Sequence, residues 1–373
     1  MTTQSKRPRF HNPRSVLIKK KKKIENTDYI PTVHQFWMQM DKRTTSKVHL
    51  DKLRMLSAKS FADNGHPVII WSYQKLSTDK LPKGVKFGNA HDIIPLEYYK
   101  FIDPSLDREP KESNALNAGL RAKTIDNNRI SIDDWTPLTH IKPVRQHIAH
   151  FSDLFRVVVI YKHGGWWSDS DNYCHKHLPY PDKYDENVIF ATNPSKRTDT
   201  AKQMLCEKSA VFRNTCISSK WDGLDGFSNS MMYGTAKHPL YKKIIQKLRM
   251  RLEILKMRSF ITPMFDTHEI IKKEGYDASI RPPCAFVGLP WWKTKQKTMN
   301  YQESTNKKYF GCLLYSYENL LKKGYVVHFY DSMFEEMINL DENAYINKLF
   351  TTITGHSSND LKYNAEYNQF YLT

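Results

Sequence analysis

The stretch Arg145–Cys174 reads RQHIAHFSDLFRVVVIYKHGGWWSDSDNYC, and its punctuation organises the chain. Ile148, Phe151, Phe155, Val158 and Val159 recur at helical spacing, which predicts an amphipathic helix with these side chains toward a core. Asp153 and Arg156, three residues apart, share another face of it. Gly164 and Gly165 end the helix, because glycine takes the left-handed conformation that a helix C-terminus favours. A short aromatic segment then delivers Asp169 and Asp171 with one residue between them. In an extended segment, side chains two apart point the same way. Two such carboxylates make a hard oxygen site, suited to a divalent cation that also carries a diphosphate.

A bare Asp-x-Asp says little, since solvated loops produce it constantly. Ser-Asp-x-x-Arg on a helix, then Gly-Gly, then Asp-x-Asp is far more specific. On Ser152, Asp153, Arg156, Gly164, Gly165, Trp167, Asp169 and Asp171 the chain resembles the DXD-motif sugar transferases. That family includes the yeast initiating mannosyltransferase, capsular polysaccharide transferases and the catalytic domains of large clostridial toxins. Trp167 stands where the family usually has Tyr, and Ser168 where it has an apolar residue.

The resemblance implies a GT-A type nucleotide-sugar-binding fold, an α/β Rossmann-like mixed sheet flanked by helices in a single large domain. It implies a metal-dependent glycosyltransferase that moves a hexose from a nucleotide-diphospho-sugar donor to a glycan or glycoprotein acceptor, with retention of configuration. Mn²⁺, or Mg²⁺, would bridge the donor diphosphate to Asp169 and Asp171. Asp153, Arg156 and Trp167 would contact the donor. No general base stands out, which fits retention with the leaving phosphate taking the acceptor proton. The alternative for Asp153 and Arg156 is a surface ion pair worth about 0.3–0.5 kcal/mol.

Flanking islands extend the resemblance. Ile30–Met38 reads as the first buried strand and resembles the family opening that ends in His-Gln-x-Trp. Trp37 is then either the base-stacking residue or a core tryptophan, and His34 reads as structural. Val48–Ala62 has helical periodicity, Asn64–Pro67 breaks it, and Val68–Trp71 forms a second strand. Strand, helix and strand make one crossover unit, the start of a parallel sheet. Residues 74–140 are polar and broken by prolines, and read as a variable insertion with a short helix near Leu96. Val188–Ala191 is another strand. Asn229, in Gly226–Met232, matches a position near the sugar in relatives, or it is a structural turn residue. A basic helix follows from Leu240. Pro290–Lys293 is either an aromatic acceptor platform or surface packing. Val326–Ser332 resembles the family's closing element, making His328 a third metal or phosphate ligand and Ser332 a donor contact; Met333 replaces the family Trp. His175 and His177 are two zinc-type ligands or, with no third nearby, solvated loop residues.

The domain reading is a basic tail over 1–26, a transferase domain over 27–352 and a polar tail over 353–373. The chain of 373 residues, 40% hydrophobic and 13% aromatic, supports a substantial core. Its net charge of +18 invites a polyanion partner, yet nine positive charges precede Glu25. A catalytically idle protein binding nucleic acid or polyanions through this basic surface is the competing reading, although no nucleic-acid module signature is present. A dehalogenase-type phosphatase also uses Asp-x-Asp but needs an apolar strand directly before it. Five scattered cysteines, no signal peptide and no apolar run near 20 residues point to a soluble, cytoplasmic protein.

Overall fold

Strand β1 (Val33–Phe36) is buried along its whole length, and the main sheet extends outward from it on both sides. In the computed structural model the described residues are 30–38, 47–98, 131–135, 147–179, 188–192, 227–253, 267–287, 321–364 and 369–373, with short gaps inside several stretches. The remaining strands are β2 (Lys47–Val48), β3 (Val68–Ser72), β4 (Lys75–Leu76), β5 (Val85–Asn89), β6 (Gly165–Ser168), β7 (Asn172–Cys174), β8 (Val188–Thr192), β9 (Phe227–Gly234), β10 (Ser279–Arg281), β11 (Val326–His328), β12 (Leu361–Asn364) and β13 (Gln369–Leu372). The principal helices are α1 (Lys52–Asp63), α2 (His147–His163), α3 (Pro239–Glu253), α4 (Pro283–Phe286) and α5 (Tyr345–Thr354).

The main sheet has seven strands in the order β10-β8-β9-β6-β1-β3-β5. β1 pairs in parallel with β3 and β6, β3 with β5, and β10 with β8. β9 alone runs against its neighbours β6 and β8. The α/β expectation of a mixed sheet flanked by helices therefore holds. Period-two alternation sorts side chains onto its two faces. Trp167, Phe190 and Met232 join the core that α2 and α3 complete, with Phe155, Val159, Ile244 and Leu248. Trp166, Ile189, Met231 and Tyr233 join the opposite core, with Ala58 and Phe61 of α1 and Phe286 of α4. Consecutive tryptophans thus fill opposite layers, which is why the strand before the paired carboxylates needs no polar face.

Helix α2 ends where the glycines predict. Gly164 and Gly165 have φ of 69° and 93°, and a Cβ on Gly165 would lie 2.4 Å from the Thr32 carbonyl oxygen. Only glycine lets β6 start this close to β1.

Two expectations are corrected. Residues 74–140 were expected to be an insertion, yet they supply β5, the edge strand of the main sheet. Its VKFGN sequence hides this, because an edge strand is half exposed and Gly88 carries no pattern. A Cβ on Gly88 would meet the Trp71 ring at 2.6 Å, so the glycine is there for close packing. The expected polar tail over 353–373 instead folds as a hairpin of β12 and β13. Leu361 and Leu372 are buried with Phe350 and Leu53, and these few apolar positions anchor an otherwise polar segment. The basic tail over 1–26 lies outside the described residues.

His34 behaves as the structural residue expected. The Trp71 indole N–H donates to its Nδ1 at 3.1 Å, and its Nε2 lies 2.9 Å from the Gly164 carbonyl oxygen, so a neutral ring bridges β1, β3 and the end of α2. Burial lowers its pKa from 6.5 to about 4, against the raising effect of the Gly164 carbonyl. A histidine that protonates less readily folded than unfolded stabilises fully above pH 6.5 and loses that contribution as pH falls toward 4. Across that window His34 should account for about 2–3 kcal/mol of lost stability. Urea melts at pH 7 and pH 4.5 should show a smaller drop in His34→Asn than in the unsubstituted protein; equal drops contradict the assignment.

Candidate functional site

The site forms where the chain leaves the main sheet. Asp169 follows β6 directly, and its N–H donates to the Ser230 carbonyl at 2.9 Å, one step beyond the β6–β9 pairing. The Asn172 N–H then donates back to the Asp169 carbonyl at 3.1 Å, closing a tight turn over Ser170 and Asp171. The expected extended segment is therefore corrected to a β-turn, because the chain must cross from the main sheet to a second, two-stranded sheet of β7 and β11. That crossing brings in His328. The Phe329 N–H donates to the Asp171 carbonyl at 3.1 Å, and His328 Nε2 lies 3.0 Å from Asp171 Oδ1. The Tyr330 ring packs against the imidazole, tilted by 33° with centroids 3.7 Å apart.

Asp169 is held from behind. The Trp167 indole N–H donates to its Oδ1 at 2.8 Å, and Arg156 Nη1 lies 3.1 Å from the same oxygen. Asp169 Oδ2 is more loosely engaged, 3.5 Å from Arg156 Nη1. Arg156 also pairs with Asp153 at 3.1 Å and donates to the Asn229 carbonyl at 2.5 Å. The Asn229 amide donates to Asp153 Oδ1 at 2.6 Å. The Asp153–Arg156 pair is thus no surface ion pair: its side chains are 11% and 6% exposed.

Crowded carboxylates of this kind perturb one another. Burial raises the Asp153 pKa to about 7, aided by the Asp169 charge and opposed by Arg156. Burial also raises Asp169, reinforced by Asp171 and opposed by Arg156. Asp171 goes the other way. Burial resists its ionisation, but the charge and hydrogen bond of His328, with Arg54 of α1, hold it below the usual carboxylate range. A divalent cation among these groups would offset the Asp171 charge that adds to the effect of burial on Asp169.

The donor set fits such a cation. One ligand atom each from Asp169, Asp171 and His328 lies within 4.8 Å of the others. An octahedral site with bonds of about 2.1 Å has edges of about 3 Å, the separation seen between His328 and Asp171. Two carboxylates and an imidazole suit Mn²⁺, with Mg²⁺ tolerating the nitrogen less well. His175 and His177 join no comparable group among the described residues.

The structure brings Asp153, Arg156, Asn229, Asp169, Asp171 and His328 together. Trp37 lies in the apolar cluster with Leu50, Leu76 and Val85 and is 6% exposed. Trp167, also expected at the donor, is 1% exposed and reaches Asp169 instead. Ser332 and Pro290–Lys293 lie outside the described residues. Sequence reasoning missed Arg54, Tyr330, Gln35 and Ser57 near the turn. Only Gln35 carried a signal, as a member of the His-Gln-x-Trp opening.

The fold is a mixed α/β one, and the group of two carboxylates and an imidazole that could hold a cation lies at the carboxyl end of its central strands, where open α/β sheets bind ligands. Residues 132–248 match the capsular polysaccharide synthesis protein family, and this stretch holds α2, the paired glycines, both turn carboxylates and Asn229. The sugar-transferase resemblance of the central motif is met there. No curated protein sequence matches the chain. Among solved structures, the PaToxG glycosyltransferase aligns at 12% identity and TM-score 0.29, over 65% of this chain and 68% of that one. The WbbM bifunctional glycosyltransferase, in its apo structure, aligns at 12% identity and TM-score 0.35, over 86% of this chain, which spans 52% of that protein. Mouse xyloside xylosyltransferase 1 aligns at 9% identity and TM-score 0.34, over 72% of this chain and 91% of that one. Among the described residues no helix is long and apolar enough to cross a membrane.

Removing Arg156 should leave buried Asp153 and part-buried Asp169 without their shared cation. Arg156→Met is expected to cost about 3–5 kcal/mol in urea unfolding, and Asp153→Asn in the same chain should recover part of it. A loss below about 1 kcal/mol, typical of exposed pairs, would contradict the buried network.

Proposed function

We propose that the protein is a metal-dependent glycosyltransferase that moves a hexose from a nucleotide-diphospho-sugar to a glycan or glycoprotein acceptor, with retention of configuration. The observation that carries this reading is the convergence of Asp169, Asp171 and His328 on one point beside the Asp153–Arg156–Asn229 network. The family match over 132–248, which holds all of these residues except His328, supports the sugar-transfer class. The transferase domain would span 27–352, with the hairpin of β12 and β13 packed onto it through Leu361 and Leu372, in a cytoplasmic setting suggested by cysteine usage.

Asp169, Asp171 and His328 would hold Mn²⁺, or Mg²⁺, which supplies Lewis acidity toward the leaving diphosphate. The chain's own residues prepare that step. Trp167 and Arg156 fix Asp169 Oδ1, so the carboxylate is oriented before any ligand arrives. Asp171 stays ionised beside His328. Asp153, near 7 and hydrogen-bonded by Asn229, can accept from or donate to sugar hydroxyls. Arg156 donates to the Asn229 carbonyl, which would steady the start of β9 beside a bound sugar. Ser332 completes the donor contacts in this reading. The described site shows no further carboxylate or neutral histidine placed as a general base, which supports retention.

The test is release of nucleoside diphosphate from a panel of UDP- and GDP-hexoses with Mn²⁺. One donor should turn over, EDTA should abolish turnover, and Asp171→Ala should lower it about 100-fold or more. Turnover indifferent to both chelator and substitution contradicts the metal role, and no turnover of any donor contradicts the hexosyl reading.

A further inference from the structure

We propose that Gln35 and Ser57 are positioning residues for the cation site, a buried relay that sets the backbone of the Asp169–Asn172 turn. The inference rests on the metal reading of that turn and adds what fixes its shape. Gln35 is 1% exposed and Ser57 0%. The Gln35 amide donates to Ser57 Oγ at 2.9 Å, and Ser57 Oγ donates to the Asn172 carbonyl at 2.6 Å. The same Gln35 nitrogen reaches the Asp169 carbonyl at 3.5 Å. One side-chain relay thus meets both carbonyls that bracket the turn.

The Asp169 carbonyl also accepts from the Asn172 N–H at 3.1 Å and from the Ser168 hydroxyl at 3.0 Å. With its acceptor capacity used, the peptide plane after Asp169 has little freedom to rotate. That plane sets where Ser170 and Asp171 begin, and so how far apart the two carboxylates stand. The Asn172 amide anchors the other side, donating to the Ser230 carbonyl at 2.7 Å.

The relay belongs to a larger arrangement. β7 pairs with β11 on one edge, and its other edge is met by side chains of α1 rather than by a strand. Ser60 Oγ accepts from the Cys174 N–H at 2.8 Å, Asn64 donates to the Cys174 carbonyl at 3.2 Å, and the Tyr173 hydroxyl donates to the Leu53 carbonyl at 3.1 Å. Ser57 and Ser60 therefore do chemically similar work on one strand, three helix positions apart. Only Ser57 acts at the turn. A purely structural role for this helix face predicts that the two serines matter alike.

The outer partners of metal ligands commonly set affinity by about 10–100-fold. The experiment uses the full chain as Ser57→Ala, Ser57→Thr, Gln35→Met and Ser60→Ala. Mn²⁺ affinity is read from the paramagnetic resonance of the free ion. Exchange of the Asn172 amide hydrogen is read in metal-free protein. Ser57→Ala and Gln35→Met should weaken Mn²⁺ binding by about 10-fold or more and speed Asn172 exchange by a similar factor. Ser57→Thr should restore both, and Ser60→Ala should lower Tm while moving neither. If Ser57→Ala does not fold, the test rests on Gln35→Met, expected to weaken binding and speed exchange, against Ser57→Thr, expected to change neither. Unchanged affinity and exchange in the relay variants, or equal effects from Ser60→Ala, would overturn the proposal. If the unsubstituted protein binds no Mn²⁺, the metal reading itself fails. Asn172 exchange then decides whether the relay shapes the turn: faster exchange upholds it, unchanged exchange overturns it.

Discussion

Asp153, Asp169 and Asp171 are gathered where water is scarce, and carboxylates so placed repel one another and resist ionisation. The surrounding elements each supply an answer to that repulsion. Helix α2 contributes Arg156, which pairs with Asp153 and Asp169. Strand β6 contributes the Trp167 indole N–H beneath Asp169. The second sheet contributes His328 beside Asp171, and α1 adds the field of Arg54. Remove this constraint and much of the topology near the site loses its reason. Charge is offset on the protein side, and the two turn carboxylates keep 25% and 18% of their side-chain surface open.

The apolar scaffold makes such a network affordable. Phe151, Phe155 and Val159 bury α2 against the sheet beside its ion pair, with every one of them inaccessible to solvent. Two layers of core hold β6 from opposite sides through Trp166 and Trp167. A charged pair in such surroundings adds little net stability, since desolvation offsets attraction, yet losing one member is costly. Rigidity of position, rather than stability, is what the pair contributes, and a preorganised site is what electrostatic catalysis requires.

The central architecture was legible because its signals are local. Helical spacing in α2, glycines at its end and the apolar runs of β1, β3 and β8 each follow from residues close in sequence. The carboxylates and His328 were legible through resemblance, and their meeting is a tertiary fact that spacing alone does not hold. Trp37 and Trp167 were read from resemblance alone; what spacing could not show is that both are buried, Trp37 in an apolar cluster and Trp167 with its indole N–H on Asp169. Strand β5 escaped notice because an edge strand needs no apolar alternation, and the terminal hairpin because Leu361 and Leu372 are its only buried side chains among the described residues. Ser57 had no sequence signal at all. A serine on a helix reads as solvated until a distant turn is seen to accept its hydrogen bond.

The central claim is that the turn after β6 and the end of β11 together hold one divalent cation. Crystals grown with Mn²⁺ and a nucleoside diphosphate, with anomalous scattering recorded at the manganese edge, test it most directly. The account predicts a single strong peak within about 2.1–2.3 Å of a carboxylate oxygen of Asp169 or Asp171, with His328 Nε2 completing the protein side. A peak elsewhere, or ordered diphosphate at the turn with no metal, would contradict it.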